Sequence, residues 1–230
     1  MKVHMSKKFV FGICIILSTL AVNAQVSELI EISPFFRKAY TNNFTKGTDI
    51  SVDLSTVADG TKSNDKLIVS QSPGKSIKKY GKEWTSVDFT GAMKFLGEET
   101  TVRGMELYHP TSGLLQYILD FDDDSVENYR WDNIPKFMKS GEIKQVGKVN
   151  EKTKNGKLIS SGTLALKAEK IKNGYRFCTI QTTIEVATKE KTVVNDCDLF
   201  DDQKIINGTD LEIRFGKDFV TSGTGEIKLR

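Results

Sequence analysis

Hydrophobic side chains recur at every second position along most of this chain. In "DISVDL", Ile50, Val52 and Leu54 share one parity and alternate with polar residues, the pattern of a half-buried strand. "LIVS" at 67–70, "EWTSVDF" at 83–89 and "TTVRGMELY" at 100–108 continue it. "HPTSG" at 109–113 reads as a turn, leading into "LLQYILDF" with Leu115, Tyr117, Leu119 and Phe121 on one face.

The second half reads as an antiparallel meander. "KNGK" (154–157), "KNGY" (172–175) and "INGT" (206–209) each carry Asn-Gly, the dipeptide that tolerates the positive φ angles of a tight hairpin. Gly162 is a candidate bulge in the strand between the first two. In "YRFCTIQTTIEVA" (175–187), Cys178, Ile180, Thr182 and Ile184 fall on one mainly apolar face, and Tyr175, Phe177 and Thr179 on the other. In "VVNDCDLF" (193–200), Val193, Cys197 and Leu199 share a parity. Helix is expected in two short places only: near 33–41, where Ser33 and Pro34 cap and open a turn, and near 134–140. The expected fold is therefore all-β, an antiparallel sandwich or barrel. It forms one domain over residues 25–230, with two smaller β units split near 135–142 as the alternative.

The amino terminus changes the charge picture. Lys2, Lys7 and Lys8 precede the apolar run "FVFGICIILSTLAV", and "VNA" supplies small residues at 22 and 24. That is the build of a signal peptide over residues 1–24, and the run is shorter than the about 20 residues a membrane helix needs. The whole chain has 33 basic and 30 acidic residues. Removing three lysines leaves 30 against 30, so no basic surface calls for nucleic acid. The expected location is secreted, extracellular or periplasmic, with no membrane span after processing. Two cysteines remain, Cys178 and Cys197, which in an oxidising compartment form a disulfide.

Catalytic chemistry is scarce. His109, in the turn before Pro110, is the one histidine beyond the signal peptide, which excludes a multi-histidine zinc site. No nucleophile elbow accompanies it. "GKS" at 74–76 resembles the tail of a phosphate loop, but Val69 stands where the motif needs glycine and Pro73 interrupts it. No cofactor is expected.

Three binding chemistries survive. Asp120, Asp122 and Asp124 match the first, third and fifth positions of an EF-hand loop, yet Ser125 and Trp131 occupy its glycine and glutamate positions. They remain weak calcium candidates together with Asp198 of "DCDLFDD". Tyr129 and Trp131 are candidate ligand contacts, able to stack on a sugar or to fill the core. Asn43 and Asn207 lie in glycosylation sequons if the source is eukaryotic.

Together these features describe a secreted or periplasmic β-rich binding or structural interaction module rather than an enzyme. Its partner is an unknown protein, a glycan or a small apolar ligand. One alternative is a carrier with a lipocalin-like barrel, which the chain resembles in length, export and disulfide. Gly81 and Trp84 in "YGKEW" are spaced one residue wider than that family's Gly-x-Trp signature. The other alternative is a secreted hydrolase working through paired carboxylates.

Overall fold

The structure, a computed structural model, describes residues 28–35, 47–79, 81–95, 98–108, 115–121, 125–132, 134–153, 155–217 and 219–230. Fourteen strands occur among them: β1 (Leu29–Glu31), β2 (Thr48–Ala58), β3 (Thr61–Lys79), β4 (Lys82–Phe95), β5 (Glu98–Tyr108), β6 (Leu115–Phe121), β7 (Ser125–Trp131), β8 (Phe137–Lys139), β9 (Ile143–Thr153), β10 (Leu158–Ile171), β11 (Gly174–Glu185), β12 (Lys191–Phe200), β13 (Ile206–Phe215) and β14 (Phe219–Leu229). Twelve of them form one antiparallel ring. It runs from β9 through β10 to β14, then across β2 to β7, and returns to β9. The all-β expectation resolves as a barrel.

Register shows which side chains face inward. One row of opposed residues runs Leu166, Thr179, Asp196, Leu211, Gly223, Leu54 and Asp65 across β10 to β14, β2 and β3. Leu166, Leu54 and Asp65 in that row are buried. The alternation read in "DISVDL" is real, since Val52 and Leu54 are 2% and 3% exposed. Inward glycines let the sheet curl. A Cβ at Gly162 would run into the carbonyl oxygen of Thr182, and one at Gly223 into that of Asp53. Backbones approach most closely at such corners of a barrel.

The outward face mixes ion pairs with apolar side chains such as Ile68 and Ile184. Arg176 pairs with Asp210 at 3.1 Å, Arg214 with Glu212 at 2.8 Å, Lys228 with Glu226 at 3.2 Å and Arg230 with Asp49 at 3.1 Å. No helix among the described residues is long and apolar enough to cross a membrane.

One end of the barrel is filled. Phe35 stacks on Phe177, with centroids 5.3 Å apart, and meets Tyr175 and Phe200 edge-on. Beside it β1 pairs with β8, burying Ile30 and Met138. The Gly141 amide donates to the Ala168 carbonyl at 2.8 Å, tying this small sheet to β10.

Local readings needed correction here. The segment 134–140 is not helical, because Phe137–Lys139 is extended to pair with β1, a partner more than a hundred residues earlier. Of the helix expected over 33–41, residues 33–35 form a single turn, and the remainder lies outside the described residues. Asn207-Gly208 is no hairpin. Leu199 opposes Gly208 and Phe200 opposes Ile206, so Asn207 is the extra residue of a bulge within β13. The chain reverses instead at 201–205, where Lys204 takes φ 60°. Gly162 itself sits in continuous register, and the shifts in β10 fall at Leu158/Ser160 and Leu164/Ala165.

Candidate functional site

The end of the barrel opposite Phe35 is where the inward face meets solvent. Here the hairpin β9–β10 turns through Asn155-Gly156, with Gly156 at φ 82°, and β11–β12 and β13–β14 reverse beside it. Alternation carries two rows of inward side chains to the mouth. Glu151, Ser160 and Glu185 lie directly opposite one another on β9, β10 and β11. Thr183, Thr192 and Phe215 do the same on β11, β12 and β13. With Gln181 and Ile159 they line a recess of about 340 Å³, at the small end of the range for ligand pockets, about 300–1,000 Å³.

The recess has an ordered wall. The Ser160 hydroxyl donates to Glu151 Oε2 at 3.3 Å, and the Thr188 hydroxyl to Glu185 Oε2 at 2.6 Å. At its base the Tyr129 hydroxyl donates to Gln181 Oε1 at 2.7 Å, both residues being buried. Two strand spacings separate the Glu151 and Glu185 backbones, about 9–10 Å. The eight lining residues include two carboxylates, three hydroxyls, an amide and a phenyl ring, and no lysine, arginine or histidine. Phe215 is 41% exposed, so part of its ring is open to solvent.

Deeper in the barrel the lining is mixed. Thr56 donates to Thr221 at 2.8 Å, both buried. Asp196 shares the inward face with Thr179 and Leu211. Its carboxylate is reached by solvent yet surrounded by barrel wall. Withdrawal from bulk water pushes its pKa up to about 6, because desolvation disfavours the charged form.

The residues singled out from sequence occupy different places. Tyr129 and Trp131 are 8% and 5% exposed and belong to the core cluster with Val146, Val149, Leu164 and Leu166, so neither ring lies on the surface. Asp198 is half-buried and faces inward opposite Phe177 and Thr209. Asp122 and Asp124 lie outside the described residues, as do Asn43 and His109. Asp120 is placed in β6 only by its backbone pairing with Val126. Among the described residues no three potential metal ligands cluster. Asn207 is exposed at the bulge.

Cys178 and Cys197 form the disulfide, directly opposed on β11 and β12 with Cα atoms 3.9 Å apart. The face they share with Ile180, Thr182 and Ile184 is the outer one, where Cys178 and Cys197 oppose Lys167 and Asp210. Glu151, Gln181, Glu185 and Phe215 were not singled out from sequence. Their signal was parity, since each is an inward position on strands joined by hairpins.

No protein-family model matches the chain, and no curated protein does. Two solved structures are similar to it. One, a protein from Bacteroides fragilis described as exported with a YmcC-like fold, is 12% identical with a TM-score of 0.41, over 80% of this chain and 96% of that one. The other, a DUF1329 family protein from Desulfovibrio piger, is 10% identical with a TM-score of 0.26, over 86% of this chain and 93% of that one. At such identities the chemistry rests on this chain's own residues.

Proposed function

We propose that this protein is an exported, water-facing β-barrel module that binds a small polar ligand in the recess at its open end and does not catalyse a reaction. The carrying observation is the convergence of Glu151, Ser160, Gln181, Thr183, Glu185, Thr192 and Phe215 on one recess, opposite an end packed with aromatic rings. Export is supported by the basic, apolar and small-residue succession of the first 24 residues and by the Cys178–Cys197 bond. Hydroxyl and carboxylate lining favours a polar ligand over an apolar one, because an apolar occupant would leave those groups desolvated without partners.

The test compares the mature chain with a Thr192→Trp variant whose indole fills the recess. Thermal melting in a collection of small polar molecules should find stabilising compounds for the native recess, and the variant should lose that response. Compounds that stabilise both forms equally, or none that stabilise the native form, would overturn the reading.

A further inference from the structure

We infer that the ligand of this recess is a carbohydrate and that one sugar ring stacks on Phe215. The inference deepens the reading above and depends on the recess being a ligand site. A sugar presents hydroxyls, each both donor and acceptor, around its rim and a face of C–H groups. The recess offers the counterpart of each. Thr183 and Thr192 carry hydroxyls that can donate and accept, the Ser160 hydroxyl, which donates to Glu151, can accept, and Gln181 carries an amide held in one orientation by the Tyr129 hydroxyl. Glu151 and Glu185 accept, and hydrogen bonds to an ionised carboxylate are shorter and stronger than neutral ones. Phe215 contributes an exposed aromatic face on the same row as Thr192 and Thr183.

Other ligand classes fit less of the wall. Anions meet two carboxylates and no cationic lining residue. A lipophilic ligand meets Ile159, Phe215 and the threonine methyls, but it offers no hydrogen bond to either carboxylate or to the hydroxyls. An amine suits the two glutamates, but an ammonium only donates and so makes no use of the hydroxyl protons or the amide donor. A carbohydrate uses the whole lining.

The experiment is an amide NMR titration of the isotope-labelled mature chain with neutral oligosaccharides of hexoses and N-acetylhexosamines, with putrescine as the amine probe. Oligosaccharide should shift Gln181, Thr183, Thr192 and Phe215. Phe215→Ala should weaken binding about tenfold, the loss of one ring-stacking contact, while Phe215→Tyr keeps it. An unchanged spectrum away from the recess shows that each variant folds. Recess shifts with putrescine and none with any oligosaccharide would overturn the carbohydrate assignment while leaving the recess a binding site. Silence from both probes at the recess, with Thr192→Trp also without effect on melting, would overturn the site as well.

Discussion

The hydroxyl of Tyr129 on β7 donates to Gln181 Oε1 on β11 at 2.7 Å, a bond between residues 52 apart in sequence. It joins the apolar core to the base of the recess. Tyr129→Phe keeps the ring and removes that bond, so unfolding free energy should fall by about 1 kcal/mol. A urea titration with unchanged slope and a lowered midpoint would show it. An unchanged midpoint would mean that the bond adds nothing to stability.

Phe35 closes the opposite end by touching three aromatic rings. Phe35→Ala should cost about 3–5 kcal/mol, the usual range for truncating a fully buried phenylalanine. Phe35→Leu should recover much of that loss. Equal stability of the two variants would show that ring packing is not what holds this end.

Asp196 gives a pH dependence of known sign. Its folded pKa is raised from 3.8 to about 6 by desolvation, so the folded state holds the proton more tightly than the unfolded one. The associated stability is present below pH about 4 and is lost as pH rises through about 6. Asp196 is exposed, and solvent screening limits the effect to about 1 kcal/mol, or about 2–4 °C in a domain of this size. Asp196→Asn should flatten the melting temperature over that window relative to the parent chain. A window of unchanged size in Asp196→Asn would show that Asp196 does not carry it.

The outer disulfide closes a loop with a sequence separation of 19. Replacing both cysteines by alanine should lower stability by about 3 kcal/mol, if constraint of the unfolded chain dominates. Denaturant midpoints with and without reductant should differ in the parent and coincide in the double variant.

Hairpins and pairing partners were legible where local chemistry has one outcome. Gly156 and Gly174 do take positive φ at 82° and 139°, and the two cysteines fall opposite each other as their strand parity requires. Asn207-Gly208 misled because the same backbone freedom serves a bulge as well as a turn. Phe137–Lys139 gave no strand signal, since three residues are too few for a period and its partner is remote. The facing of β11 was illegible for another reason. Gln181 and Thr183 face inward and are buried while Ile184 is 49% exposed, so hydrophobicity does not mark the interior of β11. Nor does any local motif bring Glu151 and Phe215 together; only register does.

Each of the twelve ring strands has a hydrogen-bonded neighbour on both sides. Unpaired main-chain amides at a sheet margin are the usual template for runaway polymerisation, and ring closure leaves no strand of the circuit without a partner on either side. Connectivity thereby withholds a whole free strand on which fibre growth could start.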